Sequence, residues 1–469
     1  MWSISDMLYV MKLLTVVMIA AGLAIPGIAR EDLFRIDVRD RENGWPVPLV
    51  EMRTTHEMRF ISDNAGVIAL DAPELMGREC WFHVEGHGYT VPADGFGYQG
   101  VRITPEPGGS YTLKVSRSMP ARRLGRITGA GLFAESQRFG LHQDWLESGV
   151  FGCDSVQVAR YQGKLFWAWG DTTLPHYPLG VFHASSATTP VMPLANPQPP
   201  IRLEFVYFRD GAGRIRSVAQ MAGEGPTWLS GYVNLPDSAG NQRLVANYVK
   251  VKNFLDVYES GLCVWNDEAE KFDHYRTLWT KSDDELKPSP VPDGHPAFWT
   301  DPADGKSWLL FGDPFPRLKM APDFESWGNP SVWEVIEPQE AVPSRDTGEL
   351  VVPHRGSIVM SPWLRKWVAI FTQLNGKPSS LGEIWFAVSD SPMGPWSDAV
   401  KVVTHSDYTF YNPRIHSDLS DPSGPILLFE ATYTRQFARN PSITARYDYN
   451  QVLYRLDLDE IMKGRANPQ

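Results

Sequence analysis

The stretch DSVQVARYQGKLFWAWGDTT, residues 154–173, contains two short segments that are separated by a turn. The first segment alternates apolar and polar residues, whereas the second is an aromatic run that ends in Gly170, Asp171 and two threonines. Short runs of this kind, bounded by turn residues, are typical of β-strands. The stretch therefore predicts a strand pair whose second strand is buried and carries a carboxylate at its end.

The same pattern recurs four more times, which indicates an internal repeat. The further copies begin at Ser230, His295, His354 and Tyr411. Each copy is followed by a third strand-like segment, and the first four copies by a fourth. Four antiparallel strands repeated five times predict an all-β fold, with a five-bladed β-propeller over 124–463.

The fifth copy lacks an outer strand at the end of the chain. We expect residues 124–133, which precede the first copy, to supply that strand and to close the ring. Pairing the first and last blades in this way would remove an open sheet edge, which is otherwise a site of aggregation.

Residues 30–118 contain short alternating runs separated by turn residues, and they predict a small β-sandwich. The segments DVRDRENGWPVPLVEMRT (37–54) and FHVEGHGY (82–89) resemble the transthyretin-like or carboxypeptidase-regulatory-like sandwich. That resemblance implies an accessory domain without catalytic residues.

Residues 1–29 have the pattern of a secretory signal peptide. Lys12 precedes an apolar run over 13–25, and Gly27 and Ala29 stand before a cleavage position at Arg30. The run is too short to span a bilayer comfortably. We expect export to the periplasm or the medium, with no membrane span after cleavage.

Composition limits the partners that the chain can have. Of the 469 residues, 43% are hydrophobic and 21% are charged, as in globular proteins. The net charge of −11 opposes binding to nucleic acid, since both would be anionic. The 17 tryptophans are typical of a β-rich core or of surfaces that stack on sugar rings. Cys80, Cys153 and Cys263 have no disulfide or metal-binding pattern, so we expect unpaired thiols, no metal and no cofactor.

Alignment of the five copies places polar residues at two equivalent positions. Because the inner strands of a propeller line a central funnel, these side chains are expected to meet at its mouth. The first position, at the start of the first strand, holds Asp154, Ser230, His295, His354 and Asn412. The second position, at the end of the second strand, holds Asp171, Asn247, Asp313, Gln373 and Glu430. Rigid strands would hold such groups in the positions that catalysis requires.

Two further acids, Glu259 and Glu383, begin third strands. Strand alternation points some of these acids away from the axis, and the sequence leaves open which of them. Two or three carboxylates in one funnel suit the cleavage of glycosidic bonds, in which one acid protonates the leaving oxygen and another activates water or attacks the sugar.

Residues 140–460 resemble the five-bladed propeller glycoside hydrolases, the arabinanase, β-xylosidase and invertase-like group. The resemblance rests on the five copies, GCDSV (152–156), FAVSDSPMGPW (386–396) and FYNPRIHSDL (410–419). It implies that Asp154 is the base or nucleophile. The general acid of that group, a Glu in a later blade, has no single counterpart here. Glu383, Glu259 and Glu430 are candidates, and Asp313 or Asp171 would orient and tune the others.

Each of these acids also has a structural interpretation, because aspartates often cap turns and strand ends and Glu383 could lie at a solvated edge. Basic residues converge as well, and they favour an acidic or sulfated polysaccharide unless they pair with the ring acids. The candidate substrate contacts are His295, His354, Arg355, Asn412, Arg414, His416, Trp169 and Glu259.

Two other classes of function remain open. A lyase acting on uronic-acid polymers would use Arg414 to neutralise the carboxylate and Tyr411 or His416 to remove a proton. A propeller without catalysis would bind glycans through stacked tryptophans, with the polar ring as hydrogen-bonding groups.

Overall fold

The computed structural model describes residues 32–176, 184–194, 196–253, 255–282, 290–377, 379–405, 407–438 and 443–464. The predicted signal peptide, residues 1–29, lies outside the described residues, and the export prediction depends on it. Over the described ranges, none of the helices has both the length and the apolar character needed to cross a bilayer.

The N-terminal strands pair in the order β3-β2-β5-β6-β8-β1-β4, and β7 pairs with β5. Strand β1 alternates buried and half-buried residues, so that Ile36 and Val38 enter a single core with Val50, Met52 and Val115. The alternating sequence pattern thus forms a sandwich with one apolar interior. The strands are β1 (Phe34–Asp40), β2 (Val50–Thr54), β3 (Arg59–Ile61), β4 (Val67–Leu70), β5 (Cys80–Gly86), β6 (Tyr89–Thr90), β7 (Gly100–Ile103) and β8 (Ser110–Arg117).

The remainder of the described chain is also mostly strand. Its first strands are β9 (Arg122–Arg126), β10 (Gly152–Cys153), β11 (Gln157–Tyr161), β12 (Lys164–Ala168), β13 (Thr172–Thr173), β14 (Ser186–Pro190), β15 (Val206–Tyr207), β16 (Thr227–Pro236), β17 (Gln242–Lys252), β18 (Asp256–Asn266) and β19 (Lys271–Thr280). They are followed by β20 (Ala297–Thr300), β21 (Ser307–Gly312), β22 (Pro316–Met320), β23 (Glu334–Val335), β24 (Val342–Pro343), β25 (Leu350–Val351), β26 (Pro353–Ser361), β27 (Lys366–Gln373), β28 (Glu383–Ser389), β29 (Ser397–Thr404), β30 (Thr409–Ile415), β31 (Ile426–Thr434) and β32 (Asn450–Asp457). The short α-helices are α1 (Ala134–Gln137), α2 (Phe324–Trp327) and α3 (Leu458–Met462), and Pro73–Leu75 and Pro330–Val332 form 3₁₀ turns.

Five four-stranded antiparallel sheets form the blades of a propeller. They are blade 1 (β11-β12-β14-β15), blade 2 (β16-β17-β18-β19), blade 3 (β20-β21-β22-β23), blade 4 (β26-β27-β28-β29) and blade 5 (β30-β31-β32-β9). First strands of neighbouring blades contact each other, β11 against β16 and β26 against β30. These contacts identify the first strands of blades 1, 2, 4 and 5 as innermost strands, as the repeat pattern predicted.

Apolar clusters between neighbouring blades close the ring. Each cluster takes buried side chains from two adjacent sheets, and the pairs of sheets form a complete cycle. Representative pairs are Phe166 with Tyr248 between blades 1 and 2, Val245 with Phe311 between 2 and 3, Leu310 with Phe371 between 3 and 4, Phe386 with Phe429 between 4 and 5, and Leu428 with Trp167 between 5 and 1. The all-β prediction, a sandwich followed by a propeller, is confirmed.

The outer strand of blade 5 comes from the segment before the repeats, in a position shifted from the expected 124–133. Strand β9 pairs antiparallel with β32, with Leu453 opposite Gly125. It begins two residues earlier than expected, at Arg122, and ends at Arg126. The later residues leave the sheet because Gly129 and Gly131 take positive φ angles of 87° and 69°, which are incompatible with extended pairing.

The sandwich is joined to blade 5 by buried polar contacts. The guanidinium of Arg123 is buried and donates to the carbonyl oxygens of Pro48, at 2.7 Å, and of His87. On the other side, the Tyr447 hydroxyl donates to the Ser62 carbonyl over 2.7 Å. These bonds satisfy sandwich carbonyls with side chains of the propeller, so the two parts of the chain are closely packed at this junction.

Candidate active site

Hydrogen bonds join the inner ends of all neighbouring blades. Each bond uses a side chain at or beside one of the two ring positions that the repeat alignment identified. They run from Trp228 Nε1 to Asp171 Oδ1 (2.9 Å), from Gly294 N to Ser230 Oγ (2.8 Å), from Gly356 N to Asp313 Oδ1 (2.7 Å), from Ile415 N to Ser357 Oγ (2.8 Å) and from Tyr411 Oη to Asp154 Oδ2 (2.5 Å). These bonds form a connected belt around the axis, and the belt includes four of the ten predicted ring residues, Asp154, Asp171, Ser230 and Asp313.

The backbone is irregular at the same level. Register shifts interrupt the first strands of blades 2, 4 and 5, at 230–233, 353–356 and 411–414. In blades 1 and 5, Ser155 and Asn412 have φ angles of 54° and 49°, and the amide of Asn412 donates to the Ser155 hydroxyl. Bulges and left-handed residues turn side chains out of the regular ladder, and they concentrate at functional sites.

Asp154 has the most elaborate environment in the belt. Its Oδ2 atom accepts hydrogen bonds from the hydroxyls of Tyr411, at 2.5 Å, and Tyr449, at 2.7 Å. Burial raises the pKa of Asp154, whereas the two hydroxyls oppose this by favouring the ionised form. Asp154 is thus a half-buried carboxyl group whose Oδ2 atom is held by two O–H donors.

Asp171 lies beside Asp154, and the two residues also share a backbone contact of 3.2 Å from Asp154 N to Asp171 O. Burial and then the charge of Asp154 raise the pKa of Asp171 to about 7, against a lowering effect of the Trp228 N–H. The pair therefore contains one carboxyl group that keeps its proton near neutral pH. Such a division between two adjacent acids is the usual requirement for acid/base catalysis.

Gly170 gives Asp154 the space that its carboxyl group occupies. A Cβ atom at this position would lie 2.3 Å from Asp154 Oδ1, so any larger residue would require the carboxyl group or the strand to move. The preceding Trp167 and Trp169 are fully buried and stack at 6.1 Å between ring centroids. The aromatic strand is therefore a rigid support that ends in a glycine, and the absence of a side chain there makes room for the carboxyl group of Asp154.

Trp169 was expected to contact substrate, and its position requires a correction. It is 1% exposed and packs against Phe205 and Tyr207 in the core of blade 1. An indole buried on both faces supports the strand and cannot stack on a sugar. The enrichment in aromatic residues pointed equally to a β-rich core, and for this residue that alternative applies.

A second group of polar residues lies at blades 3 and 4. Asp313 accepts from Arg355 Nη1 at 2.5 Å, and burial and the neighbouring Asp313 raise the pKa of Asp293. The pKa of His354 is lowered, mainly by burial and then by Arg355. The Arg355 side chain is 49% exposed despite its ion pair, so its guanidinium is accessible from solvent. Arg355 and Asp313 thus form a pre-organised polar pair at the belt.

His295, Arg414, His416 and Glu430 lie deeper, among buried side chains. Glu430 is 0% exposed, and its Oε1 atom is 3.5 Å from His416 Nε2. Burial lowers the pKa of Arg414 to about 10, and its guanidinium donates to the Val158 carbonyl at 2.8 Å. The pKa of His295 lies well below its usual value because of burial and then Arg414. We interpret these residues as internal support that connects blade 5 to blades 1 and 3.

Glu383 and Glu259, two candidates for the general acid, lie on third strands and are bound by other side chains. Glu383 is 3% exposed and forms an ion pair with Lys401 at 2.6 Å, on the third and fourth strands of blade 4. Glu259, on the third strand of blade 2, accepts from Tyr248 at 2.7 Å. Their role as candidate general acids stays a prediction.

Sequence reasoning missed Tyr449, Trp228 and Asp293 as members of the belt. Tyr449 lies just before β32, in a segment that matches no repeat position, and its φ angle of 61° turns it toward Asp154. Trp228 stands two residues before the aligned Ser230, on the first strand of blade 2. An aromatic residue close to a ring position was the only signal in the sequence for Trp228.

Among the described residues, no group of three or more His, Cys, Asp or Glu side chains is arranged to hold a metal ion. The three cysteines are free, with Cys153 and Cys263 buried and Cys80 partly exposed. The side chains of the belt carry carboxyl, hydroxyl, imidazole and guanidinium groups.

Comparisons with known proteins give only distant similarity. No family model matches the sequence, and no curated protein matches it. An exo-1,5-α-L-arabinanase from a bovine ruminal metagenomic library is similar in structure, with a TM-score of 0.37 and 11% identity over 66% of this chain and 94% of that one. An endo-1,5-α-L-arabinanase from Thermotoga petrophila RKU-1 gives a TM-score of 0.36 and 13% identity, over 64% and 70% of the two chains. An N-acetylgalactosamine deacetylase from F. plautii gives 0.34 and 13%, over 67% and 97%. At these values the similarity carries no argument about activity.

Proposed function

We propose that the chain is a glycoside hydrolase in which Asp171 is the general acid and Asp154 is the base or nucleophile. The observation that carries this proposal is the adjacency of two carboxyl groups with different environments. Burial raises the pKa of both groups, but two hydroxyls oppose the rise at Asp154, whereas the charge of Asp154 adds to the rise at Asp171 and brings its pKa to about 7. Pairs of this kind are the working groups of most glycosidases.

The reaction uses both groups and one water molecule. Asp171 gives its proton to the glycosidic oxygen as the bond from that oxygen to the anomeric carbon breaks. In an inverting enzyme, Asp154 takes a proton from the water that attacks the anomeric carbon. In a retaining enzyme, Asp154 forms an ester with that carbon, and water then cleaves the ester while returning a proton to Asp171. Either route yields a free sugar end and an alcohol.

The substrate is proposed to be a polysaccharide or oligosaccharide. Arg355, half exposed beside Asp313, is the basic group best suited to contact a carboxylate or sulfate on the sugar. Arg414 and His416 are less suited because both are occupied by contacts inside the protein. Arg355 would therefore bind the carboxylate or sulfate of an acidic glycan. The proposed substrate class includes neutral glycans as well.

The lyase alternative has weaker support. Its candidate base, Tyr411, already donates to Asp154, and burial raises its pKa well above the usual value. Its other candidate, His416, is 3% exposed and cannot reach a polymer. A propeller that only binds glycans would not require two neighbouring, partly buried carboxyl groups of which one has its pKa raised to about 7, since burying such groups is costly.

The test is incubation of wild type with neutral, uronic-acid and sulfated glycans, followed by analysis of reducing ends. We expect new reducing ends without ultraviolet absorption, and a loss of about 100-fold or more in kcat for Asp171→Asn and Asp154→Asn. Asp304→Asn, an exposed turn residue of blade 3, is the matched control and should retain full activity. Absorbing products would indicate a lyase, and intact glycans throughout would contradict the enzyme assignment.

The stereochemistry of the product separates the two roles of Asp154. Proton NMR during the first minutes of hydrolysis reports whether the anomeric configuration is kept or inverted. Export through residues 1–29 is part of the proposal, and N-terminal sequencing of the secreted protein tests it. A mature chain that still begins at Met1 in the cytoplasm would contradict export.

A further inference from the structure

We propose that Tyr411 and Tyr449 are positioning residues that hold Asp154 as the ionised member of the carboxyl pair and leave the transferable proton on Asp171. This inference rests on the proposed function for its catalytic meaning. In physical terms, the pair shares one proton, and the state with this proton on Asp171 is favoured over the state with the proton on Asp154. That preference can be measured without any substrate.

The geometry is asymmetric. Asp154 Oδ2 accepts two short bonds from phenol hydroxyls, at 2.5 and 2.7 Å, while Asp171 Oδ1 accepts one indole N–H bond at 2.9 Å. Hydroxyl bonds to a carboxylate are shorter and stronger than neutral ones because the acceptor is charged. A single proton shared by the two acids is therefore placed on Asp171.

The two tyrosines are themselves fixed by packing. Tyr411 and Tyr449 form a small buried cluster with Leu381, and the Tyr411 ring meets Phe437 edge to face at 5.8 Å. They come from different parts of blade 5, one on the first strand and the other just before the third. Both hydroxyls reach Asp154 Oδ2 because closure of the ring brings blade 5 against blade 1, and no local turn is involved.

The surrounding titratable groups support this arrangement. Those that face Asp154 are Asp171, the two tyrosines and Cys153, whose thiol has its pKa raised well above the usual value by burial. The groups that face Asp171 are Asp154 and, at longer range, the same tyrosines. Burial and the charge of Asp154 keep both phenols protonated, so they remain donors over the working pH range.

A raised phenol pKa also distinguishes these residues from nucleophiles. A tyrosine that attacks a sugar must lose its proton to a neighbouring base during the reaction. Here the hydroxyl proton lies between phenol and carboxylate, and the acidity of the phenol is reduced by burial. The tyrosines therefore act through Asp154.

The experiment is a carboxyl ¹³C NMR titration of protein labelled at aspartate, with resonances assigned from Asp154→Asn and Asp171→Asn. In Tyr449→Phe we expect the apparent pKa of Asp154 to rise by about 1 unit, as the loss of one hydrogen bond to a charged group requires. Tyr411→Phe should give a similar rise. Tyr454→Phe is the matched control, because it removes a buried hydroxyl of the same blade that lies 3.4 Å from His87 Nε2, and it should leave both aspartates unchanged.

Kinetics give a second measurement once a substrate is known. The acid limb of kcat/KM should move up by about 1 pH unit in Tyr449→Phe, with kcat falling about tenfold and KM nearly constant. The proposal is overturned if both phenylalanine variants titrate like Tyr454→Phe, or if Tyr411→Phe is as inactive as Asp154→Asn while the aspartate titration is unchanged.

The two proposals can fail separately. A wild type that cleaves no glycan but shows the expected titration contradicts the glycosidase and supports the proton placement. An active wild type whose aspartates do not respond to the loss of either hydroxyl supports the glycosidase and contradicts the proton placement.

Discussion

The indole N–H of Trp228 donates to Asp171 across 2.9 Å, so blade 2 hydrogen-bonds the carboxyl group that ends the second strand of blade 1. This bond favours the ionised form of Asp171 and thus opposes the effects of burial and of Asp154 on its pKa. Blade 2 carries no acid at its own ring position, where Ser230 stands. Blade 2 instead supplies the Trp228 N–H, which lowers the pKa of Asp171 in blade 1.

The first prediction concerns that donor. Trp228→Phe removes the N–H and keeps an aromatic ring, so the pKa of Asp171 should rise above about 7 and the basic limb of the pH–activity profile should move to higher pH. The profile of kcat/KM against pH measures this. Trp333→Phe, which removes an indole N–H bonded to the Ser326 carbonyl in blade 3, is the control. A basic limb that stays in place would contradict the assignment of that limb to Asp171.

The second prediction concerns stability. The folded-state pKa of Asp171, about 7, is higher than its ordinary value of 3.8, so the native state binds this proton more tightly than the unfolded state. Stability is therefore lost as pH rises from about 4 to 7, at up to about 1.4 kcal/mol per pKa unit. Asp171→Asn should lower activity and raise the melting temperature at pH 8 but not at pH 3.5. A melting temperature that is unchanged at pH 8 would mean that folding does not raise the pKa of Asp171.

The third prediction concerns Gly170. In Gly170→Ala the new methyl group would lie 2.3 Å from Asp154 Oδ1, so the carboxylate must move or the strand must shift. We expect kcat to fall at least about tenfold, since displacement of a catalytic group by a fraction of an ångström is costly. Gly211→Ala is the matched control, because a Cβ there would meet nothing within 4 Å. Equal activity in both variants would show that the position of Asp154 is not critical.

The fold was readable from the sequence because a propeller repeats its pattern. The alternation of polar and apolar residues in 154–173 recurs in each blade, and the period alone identified Asp154 and Asp171 as ring members. The partners of side chains were not readable. Lys401 neutralises Glu383, and Tyr449 reaches Asp154, through cross-strand and cross-blade contacts that leave no periodic signal. The sequence therefore predicted where along each blade the polar residues lie, but it did not predict which side chains contact one another there.

The last prediction tests the junction between sandwich and propeller. Arg123 is 1% exposed, and its guanidinium donates to the carbonyls of Pro48, Leu49 and His87 and lies 5.5 Å from the Tyr89 ring centroid. Arg123→Ala would remove these donors, leaving several buried carbonyls unsatisfied and opening a cavity. Unsatisfied buried groups cost about 1–3 kcal/mol each, so the melting temperature should fall by several degrees.

The matched control for that junction is Arg160→Ala. Its side chain is 57% exposed and pairs with Asp418 at 3.2 Å, and an exposed ion pair contributes no more than about 1 kcal/mol. Differential scanning calorimetry of both variants and of wild type gives the comparison. If the sandwich and propeller unfold as one cooperative unit, Arg123→Ala should split the transition or lower it as a whole. A transition equal to that of Arg160→Ala would mean that the buried guanidinium does not hold the two parts together.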